Sequence, residues 1–355
     1  MDHNVFVKQA RLYETLTNKT VRCLTCEHRC TISEGDFGIC KTRKNAGGVL
    51  YTLVYGNISS LSCNPIEKKP LFHFWPGTFA LTVGTWSCNF TCPWCQNSGI
   101  SKISPNESTG KFLSPEQLIE LMIRRLCKGT SYSFNEPTLL LEHAIEVFPI
   151  ARKYGCYNTY VTNGYMTLKA LDLLIDAGLD ALNIDIKGCK TNVSRYCGAN
   201  IELVWRNAAH SIKKGVHVEI TTLIIPGVND DEKCLRFIAA RIKEQLTADT
   251  PWHVTRYFPA YEFAKQPPSI QKLERAREIG HEEGLKYVYI GNVANHPAES
   301  TYCPGCKEIL IERNILGVSK YRIDRNGNCP HCGEKIKIIG GSVSKIGDRG
   351  HDLSS

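Results

Sequence analysis

Three cysteines lie within eight residues in Cys88-Asn-Phe-Thr-Cys92-Pro-Trp-Cys95, directly after an apolar stretch. Thiolates are ligands for zinc and for iron–sulfur clusters. A structural zinc ion takes four protein ligands, and no histidine stands close to this trio in the chain. Three thiolates therefore suit a cluster with one iron left open, where a small molecule can bind and react.

Two further cysteine groups each offer four ligands. Cys303-Pro-Gly-Cys306 and Cys329-Pro-His-Cys332 are C-x2-C pairs separated by 22 residues, the pattern of a zinc ribbon. So small a module cannot fold on its core alone, which gives its metal a structural role and leaves His331 a bystander. Cys23, Cys26, Cys30 and Cys40 span a glycine-containing loop and suit zinc or an auxiliary cluster. The single ion is favoured, because ferredoxin-like inserts carry more cysteines. His28 is read as an exposed loop residue. The other six of the 17 cysteines (Cys63, Cys127, Cys156, Cys189, Cys197 and Cys234) stand singly and read as small buried hydrophobes. Clustered thiols in a reducing compartment point to metals rather than disulfides.

The elements that must position these groups are those of an ordinary soluble protein. The chain has 355 residues, 42% hydrophobic and 22% charged. No apolar run approaches the roughly 20 residues that span a bilayer, and MDHNVFVKQARLYE lacks the apolar core of a signal peptide. A cytoplasmic location with no membrane partner is the expectation. The net charge of +8 is spread along the chain. Without a basic stripe or interleaved aromatics it does not favour the competing reading, a zinc-ribbon protein that binds nucleic acid.

Four segments follow. Residues 1–70 form a Cys-rich metal-binding segment ending in the alternating stretch GGVLYTLVYGNISSLSC, read as a hairpin. Residues 71–295 alternate strands (TFALTVG, TSYSF, NTYVTN, DALNIDIK, VHVEITTLII, WHVTRYF, YVYIG) with helical stretches. Ser114 and Pro115 suit the N-cap and N1 positions of one helix. Residues 296–340 carry the ribbon, and 341–355 form a Gly/Ser-rich flexible tail. The alternation predicts an α/β fold of parallel βα units closing into a full or partial barrel, with functional residues in loops after the strand C-termini. Asp185 and Lys187, two residues apart at such an end, face the same way.

The C-x3-C-x2-C spacing, with Trp94 before the third cysteine, resembles the radical S-adenosylmethionine (SAM) superfamily. The segments CLTCEHRCTISEGDFGIC, PIEKKPLFHFWPGT, SCNFTCPWCQN, SFNEPTL, VTNGY, NIDIKG, IIPGVND and YVYIGNV are similar to the radical SAM member of the AmmeMemoRadiSam system, related to the pyruvate formate-lyase activating enzymes. The resemblance implies a partial (β/α)6-type barrel and a [4Fe-4S] cluster on Cys88, Cys92 and Cys95. It further implies cleavage of SAM to methionine and a 5′-deoxyadenosyl radical, which takes a hydrogen atom from the substrate. It places Trp94, Asn135, Glu136, Thr162, Asn163, Asp185 and Lys187 around SAM. A carboxylate and an amide carbonyl such as those of Glu136 and Asn135 are suitable acceptors for its ammonium. A flavodoxin- or ferredoxin-like electron donor is implied, with a small molecule or, as for a glycyl-radical activase, a partner protein as substrate. Ser87 stands where a glycine often precedes the first cluster cysteine, and Phe258 where relatives often have histidine.

Overall fold

The computed structural model describes residues 4–105, 110–314 and 317–340, so the tail at 341–355 lies outside the described residues. Among these, seven parallel strands pair in chain order: Phe79–Gly84, Gly129–Tyr132, Tyr157–Thr162, Ala181–Asp185, His217–Ile224, Trp252–Arg256 and Val288–Gly291. Ser60–Pro65 adds an antiparallel strand beside the first. It and Val288–Gly291 remain as edges, so the barrel is partial, as expected, with a seventh parallel strand. Parallel strands covered on both faces read as near-continuous buried runs, and Gly129–Tyr132 is buried at every residue.

Local chemistry sets the helix boundaries. Ser114 caps Pro115–Arg124 in a reciprocal capping box with Gln117. Thr167 caps Leu168–Ala177, which ends at Gly178 in the left-handed region (φ 117°). The stretch 47–63 expected as a hairpin is divided instead. The reversal falls at Gly47-Gly48, between Arg43–Ala46 and Val49–Thr52, while Ser60–Pro65 joins the barrel edge. Both glycines have positive φ (66° and 84°), so the turn chemistry outweighed the apolar alternation.

The ribbon packs on the barrel through a shared core of Phe72, Tyr287, Tyr289, Leu310 and Ile311. Arg313 fastens it, donating to Thr301 Oγ1 at 2.7 Å and to Phe72 O at 2.7 Å. Beneath it, the buried Glu219 carboxylate accepts from the backbone N–H groups of Phe72 and His73, at 3.0 and 2.7 Å.

Two buried histidines are expected to make the fold acid-sensitive. Burial pulls the pKa of His73 down to about 4, and that of His143 likewise to about 4. His143 bridges the Tyr132 hydroxyl and Leu113 O at 2.9 and 3.0 Å, which suits a neutral ring. An unfolded histidine titrates near 6.5, so the stability that each contributes is present above that pH and is lost as pH falls toward 4. That amounts to about 3 kcal/mol apiece at most. The urea midpoint is expected to fall between pH 7.5 and 5, and His143→Gln should flatten part of that slope. A midpoint independent of pH over this range would contradict the assignment.

Candidate active site

The loop after Phe79–Gly84 carries the cysteine trio, and its backbone is held from both sides. Ser87 has φ 68°, a conformation glycine adopts freely, in keeping with the glycine that the family resemblance implies there. Its hydroxyl donates to Cys40 O at 2.7 Å. Asn135 accepts from Thr85 N at 3.0 Å and donates to Ser87 O at 2.6 Å, clamping the loop to the end of the neighbouring strand.

Cys88, Cys92 and Cys95 all line a cavity of about 1040 Å³ at the C-terminal ends of the strands. Small-molecule pockets run to roughly 300–1,000 Å³, so this space suits a cofactor and a substrate together. No three of these sulfurs approach within 4.8 Å of one another, whereas the four of the ribbon do. The trio is thus less tightly gathered than the four sulfurs of the ribbon. The hydroxyls of Thr221 and Thr255, both on the cavity wall, are buried without a hydrogen-bond partner, and such groups fit a polar ligand.

Charge is distributed unevenly around the thiols. Burial pushes Cys88 well above the ordinary thiol range, with the nearby Glu136 charge adding to the shift. Cys92 and Cys197 share a hydrogen bond, their sulfurs 3.4 Å apart, which lowers the pKa of Cys92 against the opposing effect of burial. The ammonium groups of Lys187 and Lys102 act in the same direction.

The other expected site residues converge on the same space. Trp94 lines it, packed against Tyr196 and Phe263. Asp185 and Lys187 both face it and form an ion pair at 3.0 Å. Asn163 lies on the wall and donates to Asn89 Oδ1 at 2.8 Å, with Cys88 Sγ 4.0 Å away. Glu136 is 1% exposed. Its carboxylate accepts from Thr138 N, the Thr138 hydroxyl, the Thr162 hydroxyl and Asn163 N. Its oxygens are thus occupied in fixing the Thr162–Asn163 turn. Phe134 has φ 70°, in the left-handed region that favours glycine.

Several lining residues escaped the sequence reading. Lys69 is 5% exposed, makes no ion pair among the described residues, and lies 4.8 Å from the centre of the Phe134 ring. Burial pulls its pKa down to about 8. Arg313, Asn314 and Gly317 bring the ribbon into the cavity wall, although no spacing rule links them to Cys88. Cys197, read as a solitary buried hydrophobe, stands beside Cys92; Cys63 and Cys127 likewise meet, at 3.2 Å.

The ribbon sulfurs approach to 3.5 Å (Cys303–Cys332) and 3.7 Å (Cys306–Cys329). Tetrahedral thiolates about 2.3 Å from one zinc would stand roughly 3.8 Å apart, so the set fits a single ion. Its two knuckles repeat one backbone pattern: Cys303 N donates to Glu308 O, and Cys329 N to Glu334 O, both at 2.8 Å. Cys23, Cys26 and Cys40 are buried and Cys30 partly so. His28 is not a free loop residue: its Nε2 lies 2.7 Å from Asn89 O.

The description Radical SAM superfamily matches residues 83–238. An uncharacterized protein of Methanocaldococcus jannaschii is 42% identical over 335 residues, covering 94% of this chain and 100% of that protein. The mitochondrial GTP 3′,8-cyclase of Arabidopsis thaliana is 24% identical over 268 residues, 69% of this chain and 64% of the cyclase. Among solved structures, Streptococcus suis SuiB bound to S-adenosylmethionine is similar at a TM-score of 0.50 and 13% identity, over 74% of this chain and 61% of SuiB, a likeness of fold. The chain belongs to the radical SAM superfamily and is a radical SAM enzyme. That family implies a [4Fe-4S] cluster and SAM. No helix among the described residues is long and apolar enough to cross a membrane.

Proposed function

We propose that Cys88, Cys92 and Cys95 hold the [4Fe-4S] cluster of this enzyme, and that SAM and an unidentified substrate share the cavity above them. The observation that carries this reading is the convergence of the trio, Asn163, Asp185 and Lys187 on one space of about 1040 Å³. When bound, the cluster and SAM supply one-electron reductive cleavage of the sulfonium, giving methionine and a 5′-deoxyadenosyl radical that abstracts a hydrogen atom. The electron comes from a donor of the flavodoxin or ferredoxin class.

The chain's own residues bind and orient. Asp185 and the Asn163 amide present an anion and a dipole beside the thiols, suited to an ammonium. Asn135 and Glu136 act by holding the Cys88 loop and the Thr162–Asn163 turn. Trp94 supplies an apolar wall that keeps water from the thiols. Lys69 offers an ammonium without a carboxylate partner, suited to a carboxylate or phosphate of the bound molecules. Zinc at Cys303, Cys306, Cys329 and Cys332 holds the ribbon that closes one side.

The test is anaerobic incubation with SAM and a strong reductant, reading 5′-deoxyadenosine and SAM affinity. The protein should form 5′-deoxyadenosine. Asp185→Ala should weaken SAM binding about tenfold, the scale of one hydrogen bond to a charged group, and keep the cluster's absorbance. Unchanged affinity would make Asp185–Lys187 a purely structural ion pair, and no cleavage by the loaded protein would overturn the proposal.

A further inference from the structure

Cys23, Cys26, Cys30 and Cys40 line a small cavity together with Gly38 and Arg43. Four sulfurs around one zinc would stand in mutual contact at roughly 3.8 Å and leave no space between them. Here no three of the four come within 4.8 Å of one another, although the ribbon's four do. Irons bridged by sulfide carry their thiolates further apart than one ion does.

The polar groups of the wall agree. Arg43 is 1% exposed. Its Nη1 pairs with Glu142 at 2.8 Å, yet its Nε–H is buried with no partner. A free N–H on a cavity-lining cation suits a sulfide or thiolate acceptor, and it costs stability while unpaired. The chamber also adjoins the Cys88 loop. Cys40 O accepts from the Ser87 hydroxyl at 2.7 Å, and the Asn89 side chain lies against both Cys26 and Cys88.

We propose that Cys23, Cys26, Cys30 and Cys40 hold a second iron–sulfur cluster, in place of the single ion that their spacing in the chain favoured. With four cysteine ligands it leaves no iron open, so SAM has no position on it. The assignment is independent of the Cys88 cluster, and the experiment separates the two. The full chain, reconstituted anaerobically with ferrous iron and sulfide, is assayed for iron, acid-labile sulfide and zinc, and by Mössbauer spectroscopy. The same is done for Cys88→Ala/Cys92→Ala/Cys95→Ala and for Cys23→Ser/Cys26→Ser.

The triple variant is expected to keep a substantial share of the iron and sulfide, with cluster-type Mössbauer signals and about one zinc per chain. The double variant should lose the complementary share. A triple variant with no acid-labile sulfide overturns the proposal, whether or not a second zinc is present, and this result does not require the double variant to fold. A double variant that keeps all wild-type iron and sulfide also overturns it. Failure of the Cys88 assignment gives a different result: iron and sulfide in the triple variant equal to wild type.

Discussion

Replacing Cys88, Cys92 and Cys95 together by Ala is expected to lower reductive cleavage of SAM to the background of the reductant alone. The three thiols are the ligands that reach the cavity from one short loop, and their sulfurs do not all lie within 4.8 Å of one another. No neighbouring group replaces them: Cys197 touches only Cys92 among the three, and Asn163 offers an amide. The loss should therefore be of several powers of ten, larger than any change of a single binding contact, which costs about one to two powers of ten. Ribbon zinc should stay, because Cys303, Cys306, Cys329 and Cys332 form a four-sulfur set of their own. Undiminished 5′-deoxyadenosine formation in this variant would sink the assignment of the cluster.

Cys329→Ala is expected to have the largest effect on the fold. Structural zinc contributes about 10–16 kcal/mol in small finger peptides, and a closed four-thiolate site has no spare ligand; the exposed His331 belongs to the same knuckle but points outside the sulfur cluster's set. Loss of the metal frees the strands Thr301–Tyr302, Ile309–Asn314 and Gly317–Tyr321 from their anchor. Zinc content should fall and the chain after about residue 296 should become protease-sensitive. Uncoupled SAM cleavage, which needs only the Cys88 site and a reductant, should persist at a substantial fraction of its original rate. Substrate-dependent turnover should fall further, because Arg313, Asn314 and Gly317 are part of the cavity wall. If uncoupled cleavage instead vanishes while the Cys88 cluster is fully loaded, the ribbon belongs to the SAM site itself.

Local rules made much of this protein legible in its sequence. The spacing of Cys88, Cys92 and Cys95 put three thiols on one short loop, and all three line the cavity, because separation along a loop is a short-range property. The C-x2-C pairs announced a single-ion ribbon for the same reason, and the ribbon's sulfurs lie where that reading put them. Alternating apolar strands and helices announced the barrel, since period and burial are coupled along the chain. Asp185 and Lys187 could be placed on one face by the two-residue period of a strand, and they meet at 3.0 Å. What only the tertiary structure decided concerns contacts between residues far apart in the chain. Glu136 turned out to be engaged by Thr138, Thr162 and Asn163, because a buried carboxylate takes whatever donors the neighbouring strand end brings. Cys197 met Cys92 across 105 residues, and Arg313 reached Phe72 across 241. The separation of Cys23, Cys26, Cys30 and Cys40 also emerged only in three dimensions. Spacing along a loop counts ligands, but the distance between their sulfurs depends on how Gly38, Arg43 and Leu139 pack around them, and that distance is what separates one ion from a cluster.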